Sequence, residues 1–335
     1  MKFRRIGNLE VSEIGMGCMG FSHGYGQIPE RSYSIEAIRE AYHSGCTFFD
    51  TAETYGNVLY YEGHNEEIVG EAVEPFRNNV VIATKFHLHD EELTEEFDLY
   101  ERIKGHLTKS MRRLRTDCVD LYYLHRVNEH VAMEEIAAVM GRLIKEGLIK
   151  GWGLSQVGKG TLEKVQSITP LTAVQNLYNM LERDCEKEVI PFCLEHHIGV
   201  VPFSPIASGF LSGKIRADTE FEKTDDVRHF VPQLTKENIR GNQPILDILN
   251  RYASEKKATP AQISLAWMLK KYPNVVPIPG SKNKDRILEN LGGAEVELSD
   301  LEFAALQAAL DACQVFGHRG IEESQQKGFA QNWHK

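Results

Sequence analysis

The chain has 335 residues, 42% hydrophobic and 26% charged, which is the composition of an ordinary globular protein with ample material for a core. A formal net charge of −10 argues against nucleic acid or an anionic membrane as the main partner. No apolar run approaches the roughly 20 residues of a membrane helix, and Met1-Lys2-Phe3-Arg4-Arg5 has no apolar stretch behind it, so no targeting signal is expected. The six cysteines (18, 46, 118, 185, 193 and 313) show neither C-x-x-C nor metal-ligand spacing. They are read as reduced thiols of a cytoplasmic protein.

In chain order, MKFRRIG and LEVSEIG flank Asn8, with Gly7 beside it, and predict a β-hairpin. Short β-branched or aromatic runs then alternate with amphipathic stretches. The pairs are 12–18 with 34–45, 47–52 with 65–74, 80–86 with 101–114, and 119–127 with 132–147. They continue as 149–157 with 160–168, 172–179 with 185–197, 199–206 with 243–258 and 263–272, and 274–281 with 284–293. Eight strand-then-helix units with apolar strands predict an α/β (β/α)8 TIM barrel. An open doubly wound sheet is the competing architecture; GMGCMG (15–20) lacks the spacing of its glycine fingerprint. One barrel domain is expected over 1–335, with the hairpin and first strand in 1–20. A long loop after strand 7 (207–242) reads as a lid over the mouth, and 299–335 as a C-terminal tail that begins with a helix.

In such barrels, reactive groups sit at the C-terminal ends of the strands. The second strand ends in Asp50, with Tyr55 just after it; the third ends in Lys85 and the fourth in His125. Lysine and aspartate are rarely buried without partners. Together the four suit carbonyl reduction. Hydride addition builds charge on an oxygen that must receive a proton, and Tyr55 can donate it. Tyrosine alone is a weak acid, with a pKa of about 10. Lys85 is expected to lower that value, Asp50 to keep Lys85 charged, and His125 to bond the substrate oxygen.

The stretches FFDTAETYG (48–56), ATKF (83–86), DLYYLHR (120–126), GWGLSQV (151–157), VQNLYN (174–179), FSPIASGFLSGK (203–214) and IPGSKNKDRILEN (278–290), in this order, resemble the aldo-keto reductase family. The resemblance runs from about residue 3 to about 310. It implies NADPH-dependent reduction of aldehydes and ketones, and the family's catalytic tetrad falls on the same four residues: Asp50, Tyr55, Lys85 and His125. For the cofactor, NADP(H), it implies that Ser155 and Gln175 bond the nicotinamide carboxamide and that Phe203 stacks on the ring. Gln156 stands where similar sequences carry Asn or Glu. Ser204, Pro205, Ile206, Gly209, Leu211 and Ser212 match the loop that follows the pyrophosphate. Gly20, Gly280, Ser281, Lys282, Arg286, Glu289 and Asn290 complete the set. Of these, Ser281 and Arg286 suit a 2′-phosphate and Asn290 the adenine. A lysine often precedes that serine in similar sequences. Here Gly280 stands instead, and Lys282 is the candidate for the missing charge.

Tyr60 and Tyr61 line the pocket or pack on the rim, and Met19, Phe21, His23, Tyr25, His87 and Trp152 are further rim candidates. An aromatic rim suits apolar carbonyl compounds. No metal is expected. Two other readings stand beside reduction. One is a cofactor-binding regulatory protein resembling potassium-channel β subunits. The other is a Schiff-base aldolase acting through Lys85, against which Asp50 argues by keeping the lysine protonated.

Overall fold

The computed structural model describes residues 1–93, 98–221 and 225–320. The chain opens on the expected hairpin, β1 (Phe3–Ile6) and β2 (Leu9–Ser12), with Ile6 opposite Leu9. Gly7 turns it with φ at +55°, a conformation that glycine adopts without the clash a side chain would bring.

Seven parallel strands follow, each paired with the next: β3 (Met16–Gly17), β4 (Phe48–Asp50), β5 (Val81–Phe86), β6 (Val119–Leu124), β7 (Ile149–Ser155), β8 (Ala173–Gln175) and β9 (Gly199–Val200). Single parallel bridges, Val200 with Val275 and Gly17 with Gly280, close the ring. The eighth expected strand, 274–281, is therefore a pair of bridges, not a ladder. Pro277 and Pro279 remove the backbone donors that a ladder needs. Pro202 and Pro205 likewise cut β9 to two residues where eight were expected.

A helix follows each of the first six barrel strands: Arg31–His43, His64–Val73, Leu99–Arg113, Met133–Lys145, Lys159–Gln166 and Val189–Glu195. Gln243–Lys256 and Pro260–Lys271 come after β9, and Lys284–Leu291 after the closing segment. These helices bury their apolar stripes against the outer face of the strands, as the spacing of Tyr100, Ile103, Leu107 and Ser110 illustrates.

Inside the ring a smaller core joins Phe48, Ala83, Leu121, Tyr123, Ala173, Val201, Val276 and Ile278 to Ile6, Leu9 and Val11 of the hairpin. The hairpin thus plugs the floor of the barrel. Each of its three buried side chains contributes about 1.5–3 kcal/mol by leaving water. Alternation along a strand then sets what lies one layer above. The inward Phe48 is followed by Asp50, Ala83 by Lys85, Tyr123 by His125, and Ala173 by Gln175.

The described part of the 207–242 segment is a series of short helical turns ending in the helix Lys236–Gly241; residues 222–224 lie outside the described residues. It reaches across to the loop after β3. Tyr25 bridges Asp226, Val227 N donates to Gly24 O at 3.0 Å, and His23 Nδ1 lies 2.9 Å from Asp225 Oδ1. The tail forms the expected helix, Asp300–Asp311. Beyond it Arg319 N donates to Glu182 Oε1 at 2.6 Å. The polar end from 321 lies outside the described residues.

Candidate active site

At the mouth of the barrel a wholly buried ammonium meets three oxygens. Lys85 Nζ donates to Asp50 Oδ1 at 2.6 Å, to Thr51 O at 2.7 Å and to the Tyr55 hydroxyl at 3.1 Å. The other Asp50 oxygen, Oδ2, accepts from Gln175 Nε2 at 2.7 Å. The carboxylate is thus satisfied on both sides, as a buried charge requires. Tyr55 reaches Lys85 because 51–56 folds as a tight turn over the end of β4, held by Thr51 N to Ala83 O and Glu53 N to Lys85 O.

The charges respond to this geometry. Burial disfavours the Lys85 ammonium, yet Asp50 and Tyr55 more than offset it and hold its pKa above the ordinary lysine value. Burial pushes the Asp50 carboxyl up against the pull of Lys85 and Gln175. It also pushes the Tyr55 phenol above the usual tyrosine value. Lys85 pulls that phenol down, as expected, but does not win, so the expected net lowering is not what the structure has. A raised phenol stays loaded at neutral pH, while the adjacent ammonium still stabilises the phenolate once the proton leaves. The His125 ring lies edge-on to Tyr55 with centroids 5.7 Å apart. Burial, then Arg126, Lys85 and His87, keep its imidazole neutral.

Around this centre the other predicted residues fall into two groups. Ser155 and Gln175 are neighbours at the ends of β7 and β8. Gln156 stands beside them at φ +59°; its Oε1 accepts from Leu177 N at 3.2 Å, while its buried Nε2 has no hydrogen-bond partner. Phe203, half-buried, packs on the inner core. In the loop that follows, Ser204 and Gly209 have positive φ, and Ala207, Gly209 and Leu211 spend their N–H groups on carbonyls of Ser204 and Ile206. Pro205 is buried there, and Ser212 Oγ donates to Gly209 O at 2.6 Å.

The second group is the 280–290 segment, drawn to that loop by an ion pair between Lys214 and Glu289 at 2.8 Å. Gly280 faces Gly17 across the barrel seam, where an added Cβ would lie 3.1 Å from Gly17 O. A side chain at 280 would press on the seam unless Gly17 gave way by a few tenths of an ångström. A Cβ on Gly20 would lie 3.5 Å from Lys282 N. Ser281 Oγ accepts from Asn283 N, and Asn290 is buried. Arg286 is exposed on the first turn of its helix and makes no ion pair with a described residue. Lys282, the candidate for the missing charge, instead donates to Tyr25 O at 2.7 Å and Gln27 O at 2.5 Å. Its ammonium ties down the loop after β3.

Two rim expectations fail. Trp152 is fully buried and donates to Thr169 O and Pro170 O, because it faces outward on β7 between the inward Gly151 and Gly153. Phe21 is also fully buried. Tyr60 and Tyr61 are each 49% exposed on the rim, the first stacked on His64 and the second bonded to Glu67. Met19, His23, Tyr25 and His87 are half-buried at the mouth.

Arg126 went unnoticed in the sequence. Its Nη1 donates to Ser155 Oγ at 3.1 Å and to His125 O at 2.5 Å. Burial lowers its pKa to about 10. It follows His125 directly, so the strand-end criterion that found His125 would have found it too. Among the described residues no group of three or more His, Cys, Asp or Glu is placed to hold a metal ion.

A closed parallel barrel whose mouth holds an Asp–Lys–Tyr centre defines a barrel enzyme built for proton transfer. The chain belongs to the aldo/keto reductase family, whose model matches residues 13–311. It is 34% identical over 313 residues to probable aldo-keto reductase 1 of Glycine max, covering 92% of this chain and 88% of that one. It is 33% identical over 324 residues to aldo-keto reductase yakc [NADP(+)] of Schizosaccharomyces pombe, covering 94% and 93%. Among solved structures, a glycerol dehydrogenase from Gluconobacter oxydans superposes with a TM-score of 0.80 at 27% identity, over 92% of this chain and 94% of that one. An aldo/keto reductase from Klebsiella pneumoniae in complex with NADP and acetate superposes with a TM-score of 0.72 at 25% identity, over 95% and 98%.

Proposed function

We propose that this protein reduces aldehydes and ketones to alcohols with NADPH, with Tyr55 handing its proton to the carbonyl oxygen. The observation that carries the proposal is the Lys85 ammonium held between Asp50 and the Tyr55 hydroxyl. When bound, NADPH supplies the hydride; the rest of the chemistry is the protein's. Burial keeps Tyr55 protonated until the oxygen becomes basic, and the Lys85 ammonium stabilises the negative charge that the departing proton leaves on the phenolate. Neutral His125 offers a ring N–H to the same oxygen.

The cofactor suits the residues present. The orphaned Gln156 amide is a donor in search of an acceptor, next to Ser155 at the strand ends. Exposed Arg286, with no carboxylate of a described residue on it, has its guanidinium fork available for a 2′-phosphate. The yeast relative's name carries NADP(+), and the Klebsiella neighbour was solved with NADP. The loop from 204 to 212 and the strap from 225 to 235 would lie along the cofactor, the strap acting as a lid. No described helix is long and apolar enough to cross a membrane, and the six cysteines are free; a cytoplasmic setting is part of this proposal.

The test is NADPH consumption with a panel of aromatic and aliphatic aldehydes. Tyr55→Phe should lose about 10²–10⁴-fold in kcat while binding NADPH as before. Near-normal turnover by Tyr55→Phe would overturn the assignment. Tight NADPH binding without consumption of any aldehyde would point to a regulatory role for the bound cofactor.

A further inference from the structure

Behind the tetrad lies a second buried polar cluster that the proton chemistry does not use. Glu53 stands two residues before Tyr55 and is 2% exposed. Its N–H donates to Lys85 O at 3.1 Å and its carbonyl accepts from Gly63 N at 2.7 Å. Of its carboxylate oxygens, Oε1 accepts the His87 N–H at 2.8 Å and Oε2 lies 2.9 Å from His106 Nδ1. His106 is buried in the middle of the helix Leu99–Arg113, and its Nε2 lies 3.1 Å from Glu92 Oε1. The other Glu92 oxygen accepts from His89 N at 3.0 Å.

An ionised carboxylate can only accept, so a ring bonded to one at each nitrogen carries both protons. We propose that His106 is a positioning residue: as an imidazolium bonded to Glu53 and Glu92, it ties the loop that carries Tyr55 to the turn that carries His87, and so shapes the mouth where a carbonyl substrate enters. The proposal rests on the role of Tyr55 given above. His87 belongs to that mouth: it is half-buried at the end of β5.

The clamp has a defined pH range. Burial opposes the His106 charge, but Glu53 and Glu92 outweigh it and raise its pKa above the ordinary histidine value. Among the described residues, the other groups around it include Glu62 in the Tyr55 loop, His87 and His89 beyond β5, and Arg102 on its own helix, 3.7 Å from Glu92. The Phe86 ring covers it at 6.3 Å, and Glu66 with Arg113 lies behind Glu53. Below the ordinary histidine pKa of about 6.5 the clamp is complete. As pH climbs through the raised value, one proton leaves and one carboxylate loses its donor. Glu92, 21% exposed, can turn to water, whereas Glu53 cannot. The Glu92 end of the turn is therefore the side that lets go, while the His87 N–H stays on Glu53 Oε1.

The full-length protein, with NADPH and an aromatic aldehyde, should show KM for the aldehyde rising about tenfold across this titration, the loss expected for one charge-assisted hydrogen bond. Over the same range kcat should change less than about twofold, and NADPH affinity, read by fluorescence, should stay level. His106→Asn should hold the high KM at every pH. Glu92→Gln, a change at a partly exposed site, should move the midpoint of the KM rise to lower pH. By NMR, the His106 ring and the His87 amide should titrate with one shared midpoint, a readout independent of turnover. A flat KM, a midpoint unmoved in Glu92→Gln, or a His87 amide that ignores the His106 titration would each overturn the proposal. If no aldehyde is turned over at any pH, the role of Tyr55 fails instead, and the shared NMR midpoint still decides whether His106 clamps the two loops.

Discussion

Replacing Lys85 by methionine isolates the charge at the centre of the site. Methionine is apolar, flexible and of similar length, so little volume is lost. What is lost is the donor to Asp50 Oδ1, Thr51 O and Tyr55 at 2.6, 2.7 and 3.1 Å. Asp50 keeps only Gln175 Nε2 and becomes a buried carboxylate without a counter-ion. Breaking a buried pair from one side costs about 3–5 kcal/mol, whereas a lysine on the surface would cost about 0.5 kcal/mol or less. Removing the second charge as well should repair most of the damage. Asp50→Asn/Lys85→Met keeps an oxygen for Gln175 and leaves nothing ionised, so it should regain most of the lost stability. Activity should not return with it, because the phenolate that forms at Tyr55 has lost the ammonium bonded to it and keeps only the Coulomb pull of Arg126. Urea denaturation of wild type and of both variants, with NADPH consumption, reads both quantities. A single variant within about 1 kcal/mol of wild type, or a double variant no more stable than the single, would refute Lys85 as the counter-ion of a buried carboxylate.

Arg286→Ala should weaken NADPH binding by roughly tenfold or more and NADH binding far less, since a guanidinium–phosphate pair is charge-assisted and bidentate; equal losses for the two cofactors would place phosphate recognition elsewhere. Gly199→Ala would set a Cβ 2.4 Å from Ile6 Cβ and 2.8 Å from Ile6 Cα, pressing on the hairpin plug. The expected cost is about 1–3 kcal/mol in urea denaturation, and no loss would mean that the plug moves freely. His87 is held neutral down to about pH 4, chiefly by burial. The unfolded chain takes up that proton near pH 6.5, so stability should be full above about 6.5 and fall as pH drops toward 4. His87→Asn should flatten part of that decline; an unchanged acid profile would count against it.

Much of the site was legible because strands and residue types obey simple constraints. Ionisable residues at the apolar ends of strands 2, 3 and 4 have few places to go other than the barrel mouth, and period two then sets Asp50, Lys85 and His125 on one layer. The same rule turns Trp152 away from the rim. If Ser155 points inward, so do Gly153 and Gly151, and Trp152 must face the helices. His106 offered no such signal, because a histidine on the buried stripe of an amphipathic helix reads as core. Lys282 illustrates another limit: its partners are backbone carbonyls of Tyr25 and Gln27, about 255 residues away in sequence, and backbone groups leave no mark on residue identity.

The sequence by itself determined the repeating strand–helix order and the hairpin, and it singled out the four residues proposed for proton transfer, because each depends on local periodicity or on residue chemistry at a strand end; the segments proposed for NADPH came from the family resemblance. Only the tertiary structure decided how those residues are charged. Whether Lys85 outweighs burial at Tyr55, and whether His106 carries two protons, turns on distances of about three ångströms between side chains far apart in the chain. Burial and Coulomb interactions act through space, and the closed barrel supplies that proximity.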